Sequence, residues 1–155
     1  MVTNDKLADV LNDLIQINND RVAGYERAAE EARNIDVDLI GTFNKMADES
    51  RRFTAELSRE VRNLGDLPDT GTTNSGKIYR AWMDVKKVFS AKDRQAILES
   101  CEFGEDAAQK AYDAALKSDA EMNSEVRQLI AEQKSALKTS HDLIKQYRDL
   151  HESFK

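Results

Sequence analysis

Reading back from Tyr112 in steps of three and four gives Ala108, Glu105 and Cys101. On a helix those positions share one face, so Glu105 puts a carboxylate into an otherwise apolar stripe. A carboxylate so placed can hold a cation together with other acidic groups. Otherwise it is buried and hydrogen-bonded, because an unpaired buried charge is too costly to keep. Glu99, Glu102 and Glu105 follow at steps of three, with Glu99 drifting furthest toward solvent. Glu102 and Glu105, joined by Glu49 from across the fold, form an all-oxygen set that suits one hard divalent cation better than redox iron. The hydrogen-bonded reading instead expects Asn18, Gln133 or a tyrosine hydroxyl, such as that of Tyr25, beside Glu105.

Three other stretches carry chemically suggestive residues. "GTTNSGKI" (71–78) nearly spells a phosphate-binding loop through Gly71, Gly76 and Lys77. Ile78 stands where the magnesium-binding hydroxyl belongs, and the upstream "EVRNLGDLPDT" is a helix end and a turn rather than a strand. A glycine-rich connection accounts for it. Cys101 lies on the apolar stripe, where a cysteine behaves as a small hydrophobe rather than a reactive thiol. Trp82 shares a face with Ile78 and Val85, which fits docking of a short helix. With Tyr79 it could also line a small-ligand pocket against the rest of the fold. The mixed-charge clusters "EEAR", "DESRR" and "SREVR" read as solvated faces with intrahelical pairs such as Asp48–Arg52 and Arg52–Glu56.

These residues need helices to position them, and the composition supplies helices. The chain has 155 residues, a single Pro, six Gly and a net charge of −6, with 40% apolar and 34% charged residues. That is one domain, residues 1–155, soluble and able to bury roughly two thirds of its unfolded surface. An acidic balance argues against nucleic acid as a partner. No apolar run is long enough for a membrane span. The start "MVTNDKLADVLNDL" lacks the character of a secretory signal, and one cysteine fits a reducing compartment, so a cytoplasmic location is expected.

Four long amphipathic segments follow from the spacing. The first starts near Asn4 or Asp5 and carries Leu7, Leu11, Leu14, Val22, Tyr25, Ala28 and Ala32, interrupted at Asn18. Asp36 or Asp38 caps the second, which carries Phe43, Met46, Phe53, Leu57, Val61 and Leu64 and ends at Gly65. Residues 66–91 form a long crossover with its own short helix around Ile78, Trp82, Val85 and Phe89. Ser90 and Asp93 open the third helix, which carries Ile97, Cys101, Glu105, Ala108, Tyr112 and Ala115. A Ser118–Glu121 box is expected to open the fourth, with Val126, Ile130, Leu137, Ile144 and Tyr147 on its stripe and Gln133 and Ser140 within it. Short links within each pair and a long link between them predict two antiparallel hairpins joined by one crossover. The hairpins also match each other, with Tyr25 over Tyr112, Asn18 over Glu105 and "MADESRRF" over "IAEQKSAL". That pattern points to a duplicated unit.

"YERAAEEA", "MADES", "SGKIYRAWMDVK" and "CEFGEDAAQKAY" together resemble a bacterial ferritin-like family of unknown function, within the rubrerythrin and ferritin-like superfamily. The resemblance covers nearly the whole chain and implies an all-α, ferritin-like four-helix bundle. Di-iron members of that superfamily use one Glu from each of two helices and a Glu-x-x-His from each of the other two. Aligned through the two tyrosines, those places hold Asn18 and Glu105, Ser50 with Phe53, and Lys134 with Leu137. A slip of one residue offers Glu49 with Arg52 and Gln133 with Ala136. The two histidines, His141 and His151, fall in neither required place. The resemblance thus implies a degenerate di-iron site and no cofactor. The expected function is that of a non-enzymatic bundle acting by self-association or on a protein partner. The alternative is a protein binding iron or another divalent metal, with stress-related or oxidative chemistry at Glu105 and the neighbouring carboxylates Glu102 and Glu49.

Overall fold

The computed structural model describes residues 2–71 and 94–153. The expected crossover helix with Tyr79 and Trp82, most of the glycine-rich 71–78 stretch, and the Ser90 and Asp93 cap lie outside the described residues. Among the described residues the chain forms four α-helices and no strand: α1 (Val2–Ala32), α2 (Val37–Asn63), α3 (Arg94–Lys117) and α4 (Ser124–Ser153).

The helix boundaries have local causes. Asp36 has an extended backbone, and its carboxylate accepts the Asp38 N–H at 3.0 Å, capping α2. At the other end Gly65 takes φ +82°, its N–H donating to Arg62 O while Asp66 N–H reaches Val61 O. This paired closure satisfies the last carbonyls and requires a left-handed residue, which glycine supplies without strain. The expected Ser118–Glu121 box does not open α4. Ser118 instead donates its hydroxyl to Ala115 O at the end of α3, and Asn123 Oδ1 accepts from Val126 N–H at 2.8 Å. Asn ranks with Ser and Asp as an N-cap, and the sequence holds both signals within six residues of each other.

Neighbouring helices run antiparallel. Between α1 and α2, Arg21 meets Met46 and Asn19 meets Thr54. Between α3 and α4, Glu102 meets Arg148 and Gln109 meets Lys134. Between α1 and α3, Arg21 meets Glu105 and Asn18 meets Tyr112. Between α2 and α4, Glu49 meets Ser140 and Glu56 meets Gln133. The two helices on either side of the long connection, α2 and α3, are therefore parallel. Arg94 fixes that arrangement at one end, donating to Asp36 at the start of α2 and to Tyr147 O near the end of α4. The first residues of the crossover turn back along α1, where Asn12 bonds Leu67 and Asp69 and Asn19 bonds Gly71 O. This is the direction the crossover must take to reach the start of α3.

Among the described residues the core divides into two apolar clusters. One gathers Leu7, Leu11, Leu14, Phe53, Leu57, Val61, Ile130 and Leu137. The other gathers Ala28, Leu39, Phe43, Met46, Ile97, Leu98, Cys101 and Ile144. The α3 stripe is buried as the spacing predicts, and so is the α4 stripe from Val126 to Ile144, whereas Tyr147 is only partly buried. On α1 the buried set departs from expectation. Val22 is only partly buried, whereas Arg21 is enclosed beside it.

Candidate functional site

Between the two apolar clusters lies a layer of buried polar side chains, with Asn18 and Arg21 from α1, Ser50 from α2, Glu105 from α3 and Gln133 from α4. Glu105 is enclosed, as its place on the stripe requires, and its partner is Arg21. Arg21 Nε–H donates to Glu105 Oε1 and Nη2–H to Oε2 at 3.2 Å, a two-pronged grip. The remaining donors are also satisfied. Nη2 also donates to Met46 Sδ at 3.7 Å and forms an ion pair with Glu49 Oε1 at 3.0 Å, while Nη1 donates to Ser50 Oγ at 2.7 Å and Met46 O at 3.2 Å. All five guanidinium N–H groups thus find acceptors. The guanidinium carbon also stands 5.1 Å from the centre of the Tyr25 ring. A cation with fixed fork geometry suits this site in a way a lysine ammonium would not.

The expected neighbours of Glu105 are arranged differently from the sequence reading. Asn18 and Gln133 do not serve it; they meet on Tyr112. A directed chain of hydrogen bonds leads away from Arg21. Ser50 Oγ–H donates to Asn18 Oδ1 at 2.9 Å, Asn18 Nδ2–H to Tyr112 Oη at 2.8 Å, and Tyr112 Oη–H to Gln133 Oε1 at 2.6 Å. Gln133 Nε2–H closes the chain on Glu56 Oε1 at 3.0 Å. Each member donates onward, so the bonds polarise one another and fix both amide orientations.

The charges in this layer are strongly perturbed. Burial pushes the Glu105 carboxyl up, against the downward pull of Arg21. Burial opposes the charge of Arg21, yet Glu105, Tyr25 and Glu49 hold its pKa above the usual arginine range. Burial also pushes the Tyr25 hydroxyl and the Cys101 thiol well up, and the Glu105 charge adds to both. Cys101 packs in an apolar cluster, where burial disfavours the thiolate form.

Glu102, the third carboxylate singled out from the sequence, is not brought to this layer. It pairs with Arg148 on the α3–α4 side and stands near Asp106 and His141. Lys134 reaches out to Asp113 at 2.5 Å, and Phe53 and Leu137 are core residues. Glu49, partly buried, accepts from Ser140 at 3.0 Å and borders a groove of about 870 Å³ between α2 and α4. The expected Asp48–Arg52 pair is replaced by Asp48–Arg51 at 2.6 Å, while Arg52 lies over the Phe53 ring. Arg21 escaped the sequence reading because Val22 fits the apolar stripe at the neighbouring position. The available signal was that Arg21 stands three residues after Asn18 and four before Tyr25, on their shared face.

The internal match between hairpins is visible in these contacts. Glu49 in the first hairpin aligns with Gln133 in the second, and Glu56 then aligns with Ser140. The structure pairs Gln133 with Glu56 and Ser140 with Glu49, so one contact is made twice across a pseudo-two-fold axis.

A model for a domain of unknown function, DUF2383, matches residues 6–118. Among solved structures, the chain is similar to a mutant of Dps1 from Mycobacterium smegmatis. The two share 14% sequence identity and superpose with a TM-score of 0.80 over 94% of this chain and 97% of that one. At that identity the likeness is one of fold, and the fold is the ferritin-like four-helix bundle. No curated protein matches the sequence.

Proposed function

We propose, from the premise that this chain belongs to the DUF2383 family of unknown function, that it is a non-enzymatic ferritin-like bundle whose interior holds a built-in cation. The observation that carries this reading is the Arg21 guanidinium, which meets Glu105 and Glu49 and has every donor satisfied. A di-iron centre calls for several carboxylates and two imidazoles converging on the metals. The side chains at the aligned places are Asn18, Ser50, Phe53, Lys134 and Leu137, and the donor set does not fit that group. Glu105 persists there as the counter-ion of an arginine. The alternative cation site of Glu105, Glu102 and Glu49 has less support, because Glu102 turns to Arg148 and the other two face Arg21.

Function then resides on the outer surface, in self-association or partner binding. Phe103 on α3 and Leu150 on α4, in the same hairpin, are each about half exposed. Such apolar groups on the outside of a bundle suit contact with a second copy.

The test compares the wild type with Glu105→Gln, both produced with added iron and manganese. The expected result is equal metal content in the two proteins, with the same response of thermal stability to either metal and to a chelator. One or two equivalents of iron lost with Glu105→Gln would sink the reading. Sedimentation of the wild type against Phe103→Glu examines the surface part, with dissociation expected in the variant.

A further inference from the structure

We propose that Glu102, Asp106 and His141 form a site for one first-row divalent cation on the α3–α4 side of the bundle, separate from the interior layer. Glu102 and Asp106 stand one turn apart on α3, and His141 faces them from α4. One donor atom from each of the three lies within 4.8 Å of the others, close enough to share an ion.

The imidazole distinguishes this set from an ordinary patch of surface acids. His141 Nε2 lies 2.6 Å from Asp106 Oδ1, and Nδ1 lies 3.3 Å from Asp142 Oδ1, outside the three-residue set. A carboxylate that accepts from one ring nitrogen turns the other toward a metal, which is how histidine ligands are commonly oriented in metal sites. Asp142 is steadied in turn, since Lys138 holds its other oxygen at 3.1 Å. Arg148 holds Glu102 through Oε2 and limits its freedom, while a carboxylate has a second oxygen to offer. Two of the three ligands are therefore oriented by neighbours outside the set.

The donor types select the ion. One imidazole nitrogen with two carboxylate oxygens suits zinc, manganese or ferrous iron better than magnesium or calcium, which prefer oxygen alone. Asp106 is exposed and the other two are partly buried, so water completes the coordination. Three protein ligands and an open position are the pattern of an accessible zinc site rather than a closed structural one.

The experiment titrates the full chain, freed of metal by a chelator, with zinc chloride in a calorimeter. Wild type is expected to take up about one equivalent. His141→Ala and Asp106→Asn should each weaken binding by at least roughly tenfold, and Asp142→Asn by about tenfold through loss of ring orientation. His151→Ala serves as the control and should bind like wild type. Circular dichroism checks that the variants fold. Failure of wild type to bind zinc, or equal binding by His141→Ala, overturns the proposal. Binding that survives His141→Ala but disappears in Glu105→Gln also overturns it, and would count against the interior reading as well.

Discussion

Arg21 and Glu105, 84 residues apart in the chain, meet through two guanidinium donors in the sealed middle of the bundle. The pair joins α1 to α3, helices of different hairpins, and extends to α2 through Ser50, Met46 and Glu49. Neither charge has water to fall back on, so each depends on the other. In energetic terms a buried ion pair adds little over a well-packed apolar pair, whereas removing one partner strands the other. Its main effect is therefore on which arrangement of the hairpins is allowed, because a shifted packing would leave two uncompensated charges.

That asymmetry gives the first prediction. Arg21→Met should lower unfolding free energy by about 3–5 kcal/mol, because Glu105 is left buried and unpaired. Adding Glu105→Leu to the same chain should recover most of the loss. Urea unfolding of the two single variants and the double variant measures the coupling. Additive losses would mean that the pair is not coupled as the geometry implies.

Tyr112 supplies a second. Its hydroxyl accepts from Asn18 and donates to Gln133, so Tyr112→Phe removes both bonds while keeping the ring in the core. Asn18 and Gln133 retain other partners in Leu14 O and Glu56. The expected cost is therefore at the lower end for stranded buried groups, about 1–2 kcal/mol in the same unfolding assay.

Cys101 should be silent in the native state. Burial raises its thiol well above the usual cysteine range, and the Glu105 charge raises it further. Thiolate is the reactive form, so alkylation by iodoacetamide near pH 8 should proceed only through opening of the bundle. The labelling rate should rise with urea in step with unfolding and should rise in Arg21→Met. Fast native-state labelling would contradict the burial of α3 at this point.

The acid limb of stability should carry a small, salt-sensitive component. Hydrogen bonds from Lys134 and Lys6 hold the Asp113 and Asp119 carboxyls below the ordinary aspartate value of 3.8. A depressed folded pKa means that the stabilisation is present above the unfolded pKa and fades as pH falls from about 3.8 through the lower folded values. Both carboxylates are solvent-exposed, so added salt should flatten this part of the profile. Asp113→Asn with Asp119→Asn should do the same without salt.

The helices and their apolar faces were legible in the sequence because periodicity reports burial directly, as the α3 stripe from Ile97 to Ala115 illustrates. The place of Glu105 on the buried stripe could also be read, since it follows from spacing. The partner of Glu105 could not. Pairing between helices of different hairpins depends on their relative rotation, and on α1 a shift of one residue exchanges Val22 for Arg21. The capping of α4 was misread for a similar reason. Ser118 and Asn123 are both competent caps, and tertiary packing decides where the helix begins. The Glu102–Asp106–His141 cluster spans two helices, and only one of its pairs, Glu102 with Asp106, has a recognisable helical spacing.

Gly65 provides a final test of the backbone at the end of α2. It sits at φ +82° and makes the paired closure in which its own N–H reaches Arg62 O and that of Asp66 reaches Val61 O. A Cβ built there meets nothing within 4 Å, so alanine would suffer no collision with the rest of the fold. The penalty is then conformational alone, set by the reluctance of an L-residue to enter the left-handed region. Gly65→Ala should lower stability by about 1 kcal/mol, and Gly65→Asn by less, because Asn tolerates this conformation better. Comparing the two variants by thermal and urea unfolding separates the backbone effect from any loss of space. An equal or larger loss in Gly65→Asn would show that crowding, rather than φ, controls this turn.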